Sequence, residues 1–209
     1  MTSYEMMPNT LVNTPSDPIV LFNQWFEEAT QKELNDPNAM ALAAVGADGR
    51  PSVRIVLLKG IQNGNFVFYT NIKSRKGKET LACPHVSLCF HWKSLRRQVR
   101  IEGDAAQVSD EQADAYFASR AKDSQIGAWA SQQSHPLRDR SELEESIAQY
   151  ALKFGDKPIP RPPHWSGFEI TPHRIEFWEE QPFRLHNRII YSKNTISEGQ
   201  SWSQTRLYP

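Results

Sequence analysis

At 209 residues the chain is long enough to bury a sizeable core, and its 39% hydrophobic and 23% charged content is that of a globular protein. Its 24 basic and 24 acidic side chains cancel, so no global field recruits nucleic acid or an anionic membrane. No apolar run approaches the ~20 residues of a membrane span, and the polar, Pro-containing start lacks a secretory pattern, so a cytoplasmic setting is expected.

Residues 1–16 read as a mobile arm and 17–209 as one domain. Asp17-Pro18 has the form of an N-cap followed by Pro at the first helical position. Leu21, Phe22, Trp25, Phe26 and Ala29 recur at helical spacing, which predicts a helix to about Leu34. Three apolar or alternating runs between Ala39 and Asn71, punctuated by Asp48-Gly49 and Asn63-Gly64, predict an antiparallel meander. Ser74 opens and Pro84 closes a short helix. HVSLCFHW and RQVRIEGDAAQV predict a strand pair joined through Lys93 to Arg96. Ser109-x-x-Gln112 is a capping box for a helix through Tyr116 to about Arg120, and Ser141-x-x-Glu144 repeats it for a helix that ends before Gly155. Pro158, Pro160, Pro162 and Pro163 mark an extended crossing, after which strands return in FEITPHRIEFW, FRLHNRIIYSK and WSQTRLYP. Many short strands with a few helices between them give an α+β, mainly β class: a barrel with peripheral helices. Cys83, His85 and Cys89 suit no common zinc spacing, so no metal site is expected.

The glycines include no GxG pair, so a phosphate-bearing ligand must be held largely by side chains. Four segments offer cations. In RIVLLK, strict alternation puts Arg54 and Lys59 on opposite faces, so a shared ligand requires a bulge or a strand end. In YTNIKSRKGK, Tyr69 and Thr70 end a strand while Ser74, Arg75 and Lys76 open a helix, which reads as an anion site or as a solvated basic turn. Tyr116, Arg120 and Ser124 fall at i, i+4 and i+8, one stripe if the helix persists: a phosphate-monoester site or a surface helix with an incidental Arg. Gln133 and Ser134 add neutral hydrogen-bonding groups. In FWEEQPFRLHNR, Arg184, His186 and Arg188 alternate and would share one strand face, which is unfavourable unless something anionic lies against it. Two phosphate-sized clusters beside aromatic surface point to a phosphorylated cofactor and a phosphorylated substrate.

In this order RIVLLK, FYTNxxSRKGKE, RRQVRIEG, YFxSR, SQIGAWxSxQS, EFWxxxxxRLHNR and the terminal RLxP resemble the pyridoxine/pyridoxamine 5′-phosphate oxidase family, from about residue 17 to the C-terminus. The resemblance implies an FMN-binding split β-barrel, a homodimer with FMN in the subunit interface. It implies oxidation of pyridoxamine 5′-phosphate or pyridoxine 5′-phosphate to pyridoxal 5′-phosphate, with O2 as electron acceptor and H2O2 released. Carried over by motif, the flavin contacts are Arg54, Ile55, Val56, Leu57, Leu58, Lys59, Tyr69, Thr70, Arg75, Lys76, Gln98, Gln133, Ser134, Trp178 and Arg188, some from the second subunit. Lys59, Tyr116, Arg120 and Ser124 would meet the substrate phosphate, with Arg184, Leu185 and His186 against the pyridine ring and Arg184 and His186 as the catalytic pair. The sequence departs from the usual family pattern at Ser166, Glu179, Asn187, Ala121 and Tyr208, and Tyr4 matches a Tyr that the family often carries in a lid-forming arm. Two other readings are a flavin reductase with a nicotinamide donor on the same barrel, and a non-catalytic flavin or pyridoxal phosphate binding protein.

Overall fold

A computed structural model describes residues 10–196 and 199–209. The described chain runs α1 (Pro18–Lys32), β1 (Ala39–Val45), β2 (Pro51–Leu57), β3 (Gly60–Gln62), β4 (Asn65–Asn71), α2 (Arg75–Ala82), β5 (His85–Trp92) and β6 (Arg97–Gln107). It continues through α3 (Asp110–Ala118), α4 (Lys122–Ala130), α5 (Arg140–Phe154), β7 (Trp165–Glu179), β8 (Asn187–Ile196) and β9 (Gly199–Arg206). The helix α1 starts as its sequence dictates: the Asp17 side chain accepts the Ile19 N–H at 2.8 Å, and Pro18 takes the first turn. Its apolar face, Leu21, Phe22, Trp25 and Ala29, is buried.

The strands pair antiparallel in the order β2-β1-β5-β6-β7-β4-β3. Both expected hairpins form, β1 with β2 and β3 with β4, but the expected meander does not, because β2 and β3 lie at opposite ends of this path. Only Leu58 and Lys59 connect them, and the Lys59 N–H donates to the Val67 carbonyl of β4 at 2.8 Å. A two-residue link between the ends of a sheet forces the sheet to curl until those ends meet, which makes a barrel. Phe22 of α1 sits among the inward rings, 5.0 Å from Phe66 and 5.1 Å from Phe90, both edge-on. Each such ring contributes about 1.5–3 kcal/mol by burial, so the α1 face is integral to the core.

The long strand β7 joins the parts of the fold. On one side it pairs with β6; on the other it pairs with β4 over residues 165–170 and with β8 over 174–179. β8 and β9 then form a hairpin that extends from the barrel.

Three further expectations change. The Tyr116–Arg120–Ser124 stripe is not one helix, since α3 ends at Ala118 and α4 begins at Lys122. The Gln125 side chain donates to the Phe117 and Ala118 carbonyls (2.9 and 3.2 Å), satisfying the open end of α3 and folding α4 back on it. The cap of α5 is Asp139, which accepts the Ser141 N–H, rather than a box opened by Ser141. Residues 10–16 of the expected arm are packed down: Leu11 is fully buried, Arg206 donates to its carbonyl at 2.6 Å, and the Tyr191 hydroxyl donates to the Pro15 carbonyl. Residues 1–9, with the expected lid residue Tyr4, lie outside the described residues. Among the described residues no helix is long and apolar enough to cross a membrane, and no group of three or more His, Cys, Asp or Glu side chains could hold a metal ion.

Candidate functional site

The exit of β2, the end of β4, the start of α2 and the inner face of α4 surround a cavity of about 490 Å³. Ten residues expected for the two ligands line it: Ile55, Val56, Leu57, Lys59, Tyr69, Thr70, Lys76, Arg120, Ser124 and Gln133. Lys59 reaches it because it stands beyond the end of β2, where alternation no longer applies. Leu58 turns the other way, into the core.

Arg54 and Arg75 are not on this wall. Both bind the buried Glu79, Arg54 through Nη2 and Arg75 through Nε, each at 2.8 Å. Burial alone would push the Glu79 carboxyl up, but hydrogen bonds from Ser52, Arg75 and Arg54 outweigh it and hold the carboxyl below its usual range. The Arg75 N–H donates to Ser134 Oγ at 3.2 Å. Lys76 donates to Thr70 Oγ1 at 3.3 Å, and burial, reinforced by the Arg54 charge, lowers its pKa.

Tyr69 faces Gly167 across the β4–β7 ladder, and a Cβ on Gly167 would come within 2.7 Å of the Tyr69 ring. Glycine there lets the ring lie flat over the strand, where it stacks on Tyr116 (3.9 Å, 4°) and runs parallel to Trp165 (5.3 Å, 4°). Burial raises the Tyr69 pKa, against a hydrogen bond from Gln112. Arg120 lies over Trp165, its guanidinium carbon 4.9 Å from the ring centroid. Its Nη1 is buried with no hydrogen-bond partner among the described residues, and burial lowers its pKa. Lys59, Lys76 and Arg120 therefore share a wall that, among the described residues, carries no carboxylate. An orphaned, desolvated guanidinium beside a half-buried ammonium fits an anionic ligand and little else.

A second cluster forms where β6, β7 and β8 run side by side, with Gln98 opposite Trp178 and Trp178 opposite Arg188. Arg188 Nε bonds Glu176 at 2.8 Å and its Nη1 donates to the Tyr208 carbonyl; Glu176 also binds Arg100. The shared strand face expected for Arg184, His186 and Arg188 does not form. β8 begins only at Asn187, and Phe183 and Arg184 occupy left-handed backbone (φ 61° and 66°), a conformation costing about 1–3 kcal/mol per residue. Arg184 and Leu185 are exposed. His186 packs on Trp178 (4.6 Å), and its Nδ1 accepts the Gln181 N–H at 3.2 Å, so the proton of the neutral ring sits on Nε2.

None of Gln98, Trp178 or residues 184–188 lines the 490 Å³ cavity. Trp165 and Trp178 stand thirteen residues apart on β7, about 40 Å of extended strand. Trp165, Glu79 and Glu176 are the residues that sequence reasoning missed. The i, i+4 spacing of Arg75 and Glu79 was a readable signal; the long-range partners of Glu176 left none.

A split barrel that gathers cations beside stacked rings has the chemistry to suit flat, anionic ligands. Residues 26–154 match the family model described as pyridoxamine 5′-phosphate oxidase, and residues 165–209 match the pyridoxine 5′-phosphate oxidase C-terminal dimerisation region. The chain belongs to the pyridoxamine 5′-phosphate oxidase family, a family of oxidoreductases. It is 59% identical to the pyridoxine/pyridoxamine 5′-phosphate oxidase of Rhodospirillum rubrum, over 92% of this chain and 96% of the relative. It is 55% identical to that of Gluconobacter oxydans, over 95% and 98%. Among solved structures it is similar to PhzG from Burkholderia lata in complex with tetrahydrophenazine-1-carboxylic acid, at 32% identity and a TM-score of 0.86, covering 94% of this chain and 95% of that one. An FMN-binding protein from Nostoc punctiforme, 18% identical with a TM-score of 0.72 over 95% and 100% of the chains, shares the fold.

Proposed function

We propose that this chain oxidises pyridoxamine 5′-phosphate or pyridoxine 5′-phosphate to pyridoxal 5′-phosphate, with FMN as cofactor, O2 as electron acceptor and H2O2 as the second product. The observation that carries the reading is the carboxylate-free wall of Lys59, Lys76 and Arg120 beside the Tyr69–Tyr116–Trp165 stack. FMN, when bound, would supply the electron chemistry, hydride acceptance from C4′ of the substrate and electron return to O2. Lys76, with Arg54, Arg75 and Ser134 behind it, would hold the flavin phosphate, and residues 55–57 would border its ring. Lys59, Arg120 and Ser124 would grip the substrate phosphate, with Tyr116 fixed by its stack on Tyr69. Remote binding of that kind fixes the orientation of the reacting carbon.

The pyridine-facing groups Arg184 and His186 lie outside the cavity of their own chain, so we assign them to the site of a second copy. Support comes from the match of residues 165–209, which carry Trp178, Arg184, His186 and Arg188, to a dimerisation region. Support also comes from Val53 and Ile55 of β2, apolar yet 69% and 65% exposed beside the cavity. His186 would then donate through Nε2 to the ring while Arg184 closes over it. With the amine substrate, the imine released from the oxidation is hydrolysed to the aldehyde and ammonia. Two unpaired cysteines accord with a cytoplasmic setting.

The test is optical. The purified protein is expected to be yellow and to bleach with pyridoxamine 5′-phosphate in the absence of oxygen, then to recover in air with release of peroxide. A colourless protein that cannot be reconstituted with FMN refutes the reading, and bleaching by NADPH alone favours a reductase instead.

A further inference from the structure

Arg120 sits in the turn between α3 and α4, where a long side chain keeps many rotamers unless something fixes it. No carboxylate pairs with it among the described residues; its neighbours are rings, Trp165 at 4.9 Å and Phe117 at 5.7 Å. Trp165 is itself held on several sides. Its ring is parallel to Tyr69 and Tyr116 and meets Phe117 at 5.1 Å and 69°. Its carbonyl accepts Arg161 Nη1–H at 2.8 Å, and Arg161 is clamped by Asp110 and Asp114. An aromatic face orients a guanidinium without cancelling its charge, whereas a carboxylate in that place would compete with an anionic ligand.

We infer that Trp165 is the positioning residue for Arg120: it presents the buried, unpartnered Nη1 to a ligand phosphate with the charge uncompensated, and so sets the preference for phosphorylated substrate. The inference rests on the reading of this cavity as the substrate-phosphate site. It is tested on the holoenzyme with pyridoxine 5′-phosphate as substrate, comparing Trp165→Leu, Arg120→Ala and the double variant. Trp165→Leu is expected to raise KM about tenfold with kcat changed much less, and the double variant to lie within about twofold of Arg120→Ala, because the tryptophan acts through the arginine. Independent effects that multiply in the double variant, or an unchanged KM in Trp165→Leu, overturn the inference. Should Trp165→Leu fail to fold, Trp165→Phe keeps a ring in place; a KM raised about threefold with the same non-additivity is expected, and multiplication again overturns it. If the unaltered enzyme oxidises pyridoxine 5′-phosphate and the effects multiply, only the role of Trp165 falls. If it does not oxidise it, the functional reading falls too.

Discussion

The molecule holds its clustered cations in two different ways. Around Glu79 and Glu176, one buried carboxylate is shared by two arginines: Arg54 with Arg75, and Arg100 with Arg188. Each trio keeps a net positive charge, so it still attracts an anion, but it is already oriented and hydrogen-bonded before any ligand arrives. In the cavity lined by Lys59 and Lys76, Arg120 has rings in place of a carboxylate and keeps an N–H unsatisfied among the described residues. The first arrangement ties its cations into the scaffold. The second leaves a desolvated guanidinium beside rings with no carboxylate among the described residues, at some cost to the protein.

The largest effect that tests this contrast is Glu176→Ala. It strands two arginines whose side chains are 42% and 25% exposed, so the loss should be about 3 kcal/mol, the lower end for breaking a buried ion pair. Urea unfolding of the flavin-free protein measures it. Burial would raise the Glu176 carboxyl, but the hydrogen bonds from Arg188 and Arg100 hold it below its ordinary range. A depressed folded pKa means the carboxylate's stabilisation is complete above the unfolded value of about 4.3 and is lost as pH falls from there through the folded pKa. Glu176→Gln should therefore flatten the acid limb of the stability curve. An unchanged limb would show that this pair is not a scaffold element.

Legibility in the sequence divides along the same line. α1, both hairpins and the α2 start were readable because local chemistry decides them: Asp17-Pro18, Asp48-Gly49, Asn63-Gly64 and Ser74 each act within four residues. The cations of the cavity were readable as candidates and as family positions. What holds them was not, because Trp165 of β7 meets Arg120 of the α3–α4 turn and Glu176 of β7 meets Arg100 of β6, over separations that no periodicity encodes. The turn at residues 182–186 was misread for a related reason. Alternation of Arg184, His186 and Arg188 mimics a strand, while two consecutive left-handed residues, Phe183 and Arg184, break it. The break between α3 and α4 depends on Gln125 reaching back to the Phe117 and Ala118 carbonyls, which spacing alone does not reveal.

Next in size is the effect of Arg120→Ala on the loaded enzyme. Losing one guanidinium–phosphate contact should cost about 1.5–3 kcal/mol, seen mainly as a raised KM, with bound flavin retained. Loss of flavin in that variant would place Arg120 on the cofactor. Arg184→Ala is the counterpart in the exposed turn: it should depress kcat as well, by disturbing ring alignment. An Arg184→Ala enzyme with wild-type kcat and KM would remove that turn from the site.

The smallest effect is the most discriminating, because it separates the two ways of holding a cation in the empty protein. Arg120→Met removes a desolvated charge that lacks a carboxylate and leaves an apolar chain of similar length against Trp165. The lost cation–π contact and the relieved desolvation oppose each other, so flavin-free stability should change by less than about 1 kcal/mol. The same variant should lose most of the extra stability that pyridoxal 5′-phosphate confers on the unaltered protein, since a ligand stabilises only in proportion to its affinity. Paired urea curves with and without that ligand measure both quantities. A ligand-free loss as large as that of Glu176→Ala would mean that Arg120 is anchored as firmly as the carboxylate-held arginines, and the contrast between the two regions would disappear.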